Sequence, residues 1–277
     1  SMIPEVLFEG IHGQPVTGMF YALFQNCPKL QGSIPTGLFG GVSGNYTDML
    51  FANTFANCSG LTNGIPGDLF GDLGGTPKKC MFSTTFYNAQ GLDGGIPNGL
   101  FGDIDGAPAY KMFDHTFAGC SGLNVALPDT LFSGVRGVAA SHMYAGTFSG
   151  CSSLPGAIPD GFFGNITQTP APHMYEGTFA DCSSLNGPIP SKLFGTFDGA
   201  PAVSMFNNTF AGCSSLTGSI PGDIFAGIHG PIANTSYAQT FQGCSSLTGE
   251  IPETLFEDIT GADIWGFYNT FNGATNL

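Results

Sequence analysis

The sequence has few charged side chains and very few cations. Only 9% of its 277 residues are charged, and 20 acidic residues against six basic ones leave a net charge of −14. The basic residues are scattered, and Lys78 and Lys79 are the only adjacent pair. Because such a chain repels phosphate backbones and anionic lipids, we do not expect nucleic acid as a partner.

Long apolar runs and paired cysteines are also missing. No apolar run approaches the roughly 18 residues needed to span a bilayer, and no charged-then-apolar leader opens the chain. We therefore expect no membrane span, and either a cytosolic protein or one whose leader has been removed. Ser1 precedes a motif that is already in mid-repeat, so we interpret it as a cloning remnant. The absence of any CxxC pair argues against a zinc site.

Glycine, proline and phenylalanine are abundant instead. The 43 glycines and 19 prolines approach the level of low-complexity sequence. The 26 phenylalanines and 42% apolar content nevertheless supply enough side chains for a buried core. We therefore expect a folded chain and not a disordered one.

A 31-residue repeat runs through the whole chain. The stretch TFAGCSSLTGSIPGDIF at 209–225 returns as TFQGCSSLTGEIPETLF at 240–256. The proline of the Ile-Pro or Leu-Pro pair keeps this spacing at Pro4, Pro35, Pro66, Pro97, Pro128, Pro159, Pro190, Pro221 and Pro252. The repeat predicts one array of about nine coils and a single solenoid domain over residues 1–277.

Apolar spacing after each proline predicts a short helix. Leu131, Phe132 and Val135 lie three, four and seven residues after Pro128, which is helical spacing. Proline suits the first helical position, and a glycine nine residues on, such as Gly137, would end the helix. A helix of about two turns is marginal alone, so packing against neighbouring coils would have to hold it.

A second helix and a strand are predicted in the rest of each unit. Phe113, Phe117 and Cys120 are spaced i, i+4, i+7, which favours one or two further helical turns. The Leu-x-x-x-Ile-Pro segment, as at 216–221, is interpreted as an extended segment that pairs with the next coil. Because one unit cannot bury its apolar face alone, the pattern predicts a right-handed α/β solenoid with coils about 4.8 Å apart.

The repeat resembles the BspA-type leucine-rich repeats of bacterial cell-surface proteins. Thr-Phe-Ala-Gly-Cys-Ser-Ser-Leu at 209–216, with the Ile-Pro that follows, is similar to the family's Ala-Phe-x-x-Cys-x-x-Leu. The resemblance covers essentially the whole chain, although these units are longer than the family's usual repeat of just over twenty residues. It implies a secreted or bacterial outer-surface location and a role in adhesion or protein binding. The family offers no catalytic residues and no motif-defined binding site to carry over.

Cysteine is interpreted as a packing residue. Alanine fills the gaps of the cysteine column at Ala89 and Ala274, so we expect small buried side chains and not cross-links. Cys80 is off-register and is expected to be partly exposed. The column contains Cys27, Cys58, Cys120, Cys151, Cys182, Cys213 and Cys244.

Catalytic and metal sites are not expected. His142 and His173 lie one repeat apart and should be neighbours, which would suit either a metal or a column that tolerates histidine. We favour the second interpretation because no third ligand accompanies them at a fixed spacing. No serine or cysteine lies in a motif that would activate it as a nucleophile, so we predict a non-enzyme without a cofactor.

A binding surface is predicted where the side chains change from unit to unit. This variable strip lies between the glycine nine residues after the proline and the methionine column. Varied side chains on a regular frame suit a protein-binding surface, so we predict an extracellular binding or adhesion scaffold for a protein ligand. Alternatives are a carbohydrate-binding surface protein or a structural spacer for a missing module. The strip contains Tyr46, Lys79, Tyr110, His142, His173, Ile232 and Trp265.

Overall fold

Parallel pairing between successive coils builds a β-solenoid of about eight turns. The computed structural model describes residues 1–277. The strands are β1 (Ser43–Asn45), β2 (Asp72–Gly75), β3 (Asp103–Ile104), β4 (Arg136–Val138), β5 (Asn165–Gln168), β6 (Thr196–Phe197), β7 (Gly230–Pro231) and β8 (Ile259–Thr260). They form parallel sheets in the orders β1-β2-β3, β4-β5-β6 and β7-β8. Isolated parallel bridges, such as Gly106 with Val135, continue this pairing between the sheets.

The strands do not lie where the sequence predicted them. Gly137, expected to end a helix, lies inside β4 and pairs with Ile166 of β5. The Leu-x-x-x-Ile-Pro segment does pair with its neighbour, but only through isolated bridges such as that between Gly187 and Leu216. The predicted extended segment therefore pairs more weakly than the strands do, and only between some of the coils.

The predicted helices are absent, so the α/β class is wrong. The only helical element is a single 3-10 turn, η1 (Glu253–Phe256). After Pro128, the amide of Ser133 donates to Thr130 and that of Val135 to Phe132, which are i to i−3 bonds. These bonds close isolated turns, whereas a helix would need an unbroken i to i−4 series.

The segment predicted as a second helix is a series of turns with a left-handed residue at every fourth position. In one coil these are Ser204, Asn208 and Gly212, with φ of 51°, 57° and 74°. The amides of Phe206 and Phe210 donate to carbonyl oxygens one coil further on, at 2.8 and 2.9 Å. Because these amides are used between coils, they are not available for helical bonds.

The apolar columns face inward as predicted. The buried apolar residues form one cluster of 67 side chains that runs through the coils, so there is no second core. Phe117 stacks on Phe86 and on Phe148 with ring centroids 5.5 Å apart in each pair. All eight cysteines are unpaired, and six of the seven in the column are buried, while Cys27 in the first coil is exposed.

A buried threonine column supports this core. The side chain of Thr209 is fully buried, and its Oγ1 lies 3.0 Å from the oxygen of Tyr175 in the preceding coil and 2.8 Å from that of Phe206. Burial of a hydroxyl is tolerated when it donates a hydrogen bond, so the threonine links coils without leaving an unpaired polar group.

No helix in the structure is long and apolar enough to cross a bilayer.

Candidate functional site

Four residues of the variable strip form a continuous row on successive coils. The Nζ of Lys79 lies 5.5 Å from the ring centroid of Tyr110. Tyr110 contacts His142 edge-on at a centroid distance of 5.7 Å. His142 and His173 stack with centroids 4.4 Å apart and planes inclined by 19°. We call Lys79, Tyr110, His142 and His173 the Tyr110 row.

The other three strip residues lie elsewhere. Tyr46 belongs to the core, with only 2% of its surface exposed, and its hydroxyl donates to the main-chain oxygen of Phe101. Its assignment to a contact surface was therefore wrong. Ile232 is half-buried against the core. Trp265 is exposed on the last coil, where it contacts Tyr268 edge-on at 5.0 Å.

Left-handed turn residues place the histidines on the surface. His142 and His173 both have φ of 58° and occupy the first left-handed position of the turn segment in their coils. Histidine, asparagine and aspartate adopt this conformation more readily than most residues. Since successive coils have the same backbone conformation, the two rings lie one above the other. The sequence prediction that they are neighbours is confirmed.

Charged residues that the sequence analysis did not single out surround the row. The nearly buried carboxylate of Asp114 lies 3.6 Å from the Nζ of Lys111 and 3.2 Å from the Nδ1 of His115. Glu176 lies 2.7 Å from the Nδ1 of His173. These residues do not recur from unit to unit, so periodicity gave no signal for them.

The environment of His142 disfavours its protonated form. Burial lowers the pKa of His142, and the neighbouring His173 and Lys111 lower it further, while Asp114 and Glu176 oppose them. The Nδ1 of His142 lies 2.7 Å from the hydroxyl of Ser141, which satisfies that ring nitrogen. A neutral imidazole at pH 7 follows from the lowered pKa.

The structure offers no metal centre around the histidine pair. No group of three or more histidine, cysteine, aspartate or glutamate side chains is placed to hold a metal ion anywhere in the structure. The Nδ1 atoms of both histidines already have side-chain oxygens as partners. Stacked rings bonded in this way suit a surface contact better than a closed metal site, which needs converging ligands.

A polar trough of about 840 Å³ lies beside the Tyr110 row. Its lining includes Gly146 and Gly177, together with the side chains of His115, Glu176 and Asp181. A Cβ on Gly146 would lie 2.5 Å from the Nε2 of His115, so the imidazole occupies the space of the missing side chain. The trough exists because small residues fill columns that carry larger side chains in earlier coils.

Buried cysteines do not supply a nucleophile to this surface. Burial raises the pKa of the Cys120 and Cys244 thiols to about 12. Only a minute fraction of such thiols is ionised near neutral pH, and the thiolate is the reactive form. Half-buried Cys80, beside Lys79, also has a raised pKa, mainly because of burial.

No family model, curated protein or solved structure matches this chain. Membership of the BspA-type leucine-rich repeats therefore stays a prediction based on the Thr-Phe, cysteine and Ile-Pro columns. The solenoid and its surface geometry supply the support for a function.

Proposed function

We propose that this protein is a non-catalytic scaffold that binds a protein ligand through the Tyr110 row. The observation that carries the proposal is the contact between aromatic, cationic and imidazole side chains on four successive coils. Tyr110 is 43% exposed, so a partner can bury it. Tyrosine is enriched among the residues that dominate the energy of protein interfaces.

The solenoid suits this role because its core fixes the backbone beneath the row. Aromatic stacks and inter-coil hydrogen bonds hold each coil against the next, so little order has to be gained on binding. Side chains of the row can differ without disturbing the buried columns. We place the protein outside the cell or on a bacterial outer surface, and the support for this is the resemblance to BspA-type repeats.

A glycan is the second candidate ligand, and the trough is the observation that favours it. Its walls present the carboxylates of Glu176 and Asp181, the amides of Asn208 and Gln242, and the imidazole of His115. Such groups bind hydroxyls by hydrogen bonds, and the carboxylates accept from them strongly. The trough lacks an aromatic platform among its lining residues other than the histidines.

A binding screen tests the proposal. The full chain is screened against extracellular-matrix proteins and a glycan array, and each hit is measured again with Tyr110→Ala. We expect about a thirtyfold loss of affinity for a protein ligand, as for a dominant interface tyrosine. Tyr268→Ala is the matched control because Tyr268 is similarly exposed but lies on the last coil. Equal affinity of both variants for every protein hit would exclude the Tyr110 row, and hits among glycans alone would favour the second candidate.

A further inference from the structure

We propose that a lysine patch, formed by Lys79 and Lys111 beside Tyr110 and by Lys78 next to Lys79 in the chain, seats one isolated carboxylate group of the polypeptide partner. This inference rests on the proposed function and names the chemistry that the Tyr110 row recognises. It extends the row by two lysines, one on each of two neighbouring coils.

Half of the cations in the chain are gathered in this patch. The sequence has only six lysines and arginines, of which Lys79 and Lys111 lie beside Tyr110 and Lys78 adjoins Lys79 in the chain. The Nζ of Lys79 lies 5.5 Å from the ring centroid and that of Lys111 lies 5.8 Å from it. An anion that approaches this ring therefore has two ammonium groups within reach, on a protein that otherwise repels anions.

The charge of Lys79 is not neutralised within the protein. Among the lysines and arginines, only Lys111 and Arg136 form ion pairs. The ion-pair partner of Lys111, Asp114, is nearly buried and is shared with His115. Lys79 is therefore free to form a charge-assisted hydrogen bond with an incoming carboxylate, which is stronger than a neutral one.

Acidic groups around the patch limit the ligand to one negative charge. Asp48 accepts a hydrogen bond from the main-chain amide of Lys79 at 3.0 Å, and Asp114 lies on the other side of the patch. Glu176 and Asp181 follow along the trough. A polyanion seated on the lysines would bring its next charges against these carboxylates, and like charges placed together disfavour binding. The patch thus favours a lone glutamate or aspartate flanked by neutral residues.

A nuclear magnetic resonance titration of the full ¹⁵N-labelled chain tests this inference. The probes are a capped nonapeptide of glycine and serine with one central glutamate, the same peptide with glutamine, and hexaglutamate. We expect the glutamate peptide to shift the amide signals of residues 78–80 and 110–111, and the other two probes to leave them in place. Lys79→Gln should lower the affinity for the glutamate peptide by at least about threefold, as expected for the loss of one exposed ion pair.

The control is Lys29→Gln, which removes an exposed lysine far from the patch and should leave the titration unchanged. Equal shifts with the glutamate and glutamine peptides, or tighter binding of hexaglutamate, would overturn the inference. A protein hit from the screen that depends on Tyr110 but not on Lys79 would overturn it while the proposed function stands. If the glutamate peptide binds the patch but no protein hit depends on Tyr110, the carboxylate site is supported and the proposed function is rejected.

Discussion

The thiol of Cys182 donates a hydrogen bond to the main-chain oxygen of Phe148, 3.0 Å away in the preceding coil. The same contact recurs at each buried cysteine of the column, so the thiols link successive coils as the threonine hydroxyls do. Burial raises the pKa of Cys182 well above its usual range. The column therefore combines small volume with a weak donor, and Ala89 is a still smaller buried side chain that lacks the donor.

Thiol reactivity should follow this burial. At pH 8, a thiol-specific reagent should modify exposed Cys27 quickly and half-buried Cys80 slowly, and should spare the six buried cysteines, whose raised pKa and lack of access both oppose attack. After denaturation without reductant, all eight thiols should react. The measurement is a time course of reagent absorbance on native and denatured protein. Six or fewer free thiols in freshly denatured protein would show that the column contains disulfides.

The threonine column should contribute to stability through its hydroxyls. Thr178→Val keeps the shape of the side chain but removes the donor to the oxygens of Tyr144 and Tyr175. We expect a loss of about 1–2 kcal/mol in the free energy of unfolding. Thr217→Val, at an exposed position with no side-chain hydrogen bond, should change it by less than about 0.5 kcal/mol. Urea unfolding of both variants measures the difference, and equal losses would contradict the role given to the hydroxyl.

Phenylalanine truncation should cost more inside the solenoid than at its end. Phe210 is fully buried between Phe179 and Phe241, with ring centroids 5.9 and 5.7 Å away. Phe210→Ala should lower the free energy of unfolding by about 3–5 kcal/mol. Phe271→Ala, in the same column of the last coil, should cost less because Phe271 is only partly buried. Denaturant melts that rank Phe271→Ala as the more damaging change would contradict this ordering.

Periodicity was sufficient to predict the solenoid and its inward columns, but not the local backbone. The spacing of Phe113, Phe117 and Cys120 fits a helix, yet a turn series with a left-handed residue at every fourth position gives nearly the same spacing. The missed signal was the recurrence of asparagine and glycine at the last of these positions in each coil, such as Asn88 and Gly119. These residue types tolerate positive φ, whereas a helix excludes it.

The candidate site was only partly predictable for a related reason. Register alone placed His142 beside His173, since residues one repeat apart must be neighbours in a solenoid. The inward direction of Tyr46 did have a signal that was missed, because its column holds proline, alanine or isoleucine in the other units, as at Pro77, Pro108 and Ile232. The ion pairs of Asp114 and Glu176 depend on side-chain directions that a repeat does not encode.

A glycine substitution distinguishes the turn series from the predicted helix, because the two structures predict opposite changes in the free energy of unfolding. Gly177 has φ of 59°, and a Cβ there would meet nothing closer than 3.9 Å. In a helix, Gly177→Ala would stabilise the protein by roughly 0.5–1 kcal/mol. In the observed turn, alanine must adopt a left-handed conformation, so we expect destabilisation by about 1 kcal/mol. Gly146→Ala should cost more, because its Cβ would also displace the imidazole of His115. Urea unfolding of both variants shows whether alanine raises or lowers the free energy of unfolding.

Stability should fall between pH 7.5 and pH 5.5 in part because of His142. Burial, with His173 and Lys111, lowers the pKa of His142 in the folded protein below its unfolded value of 6.5. The unfolded chain therefore binds more protons in this range, so the contribution is fully present above about pH 6.5 and is lost as the pH falls.

His142→Asn keeps a residue that tolerates positive φ and removes the titrating group, so its loss of stability between the two pH values should be smaller. His12→Asn, at an exposed position of the first coil, is the control and should lose as much stability as the wild type. Equal losses for the wild type and His142→Asn in urea melts would show that protonation of this ring is not coupled to folding.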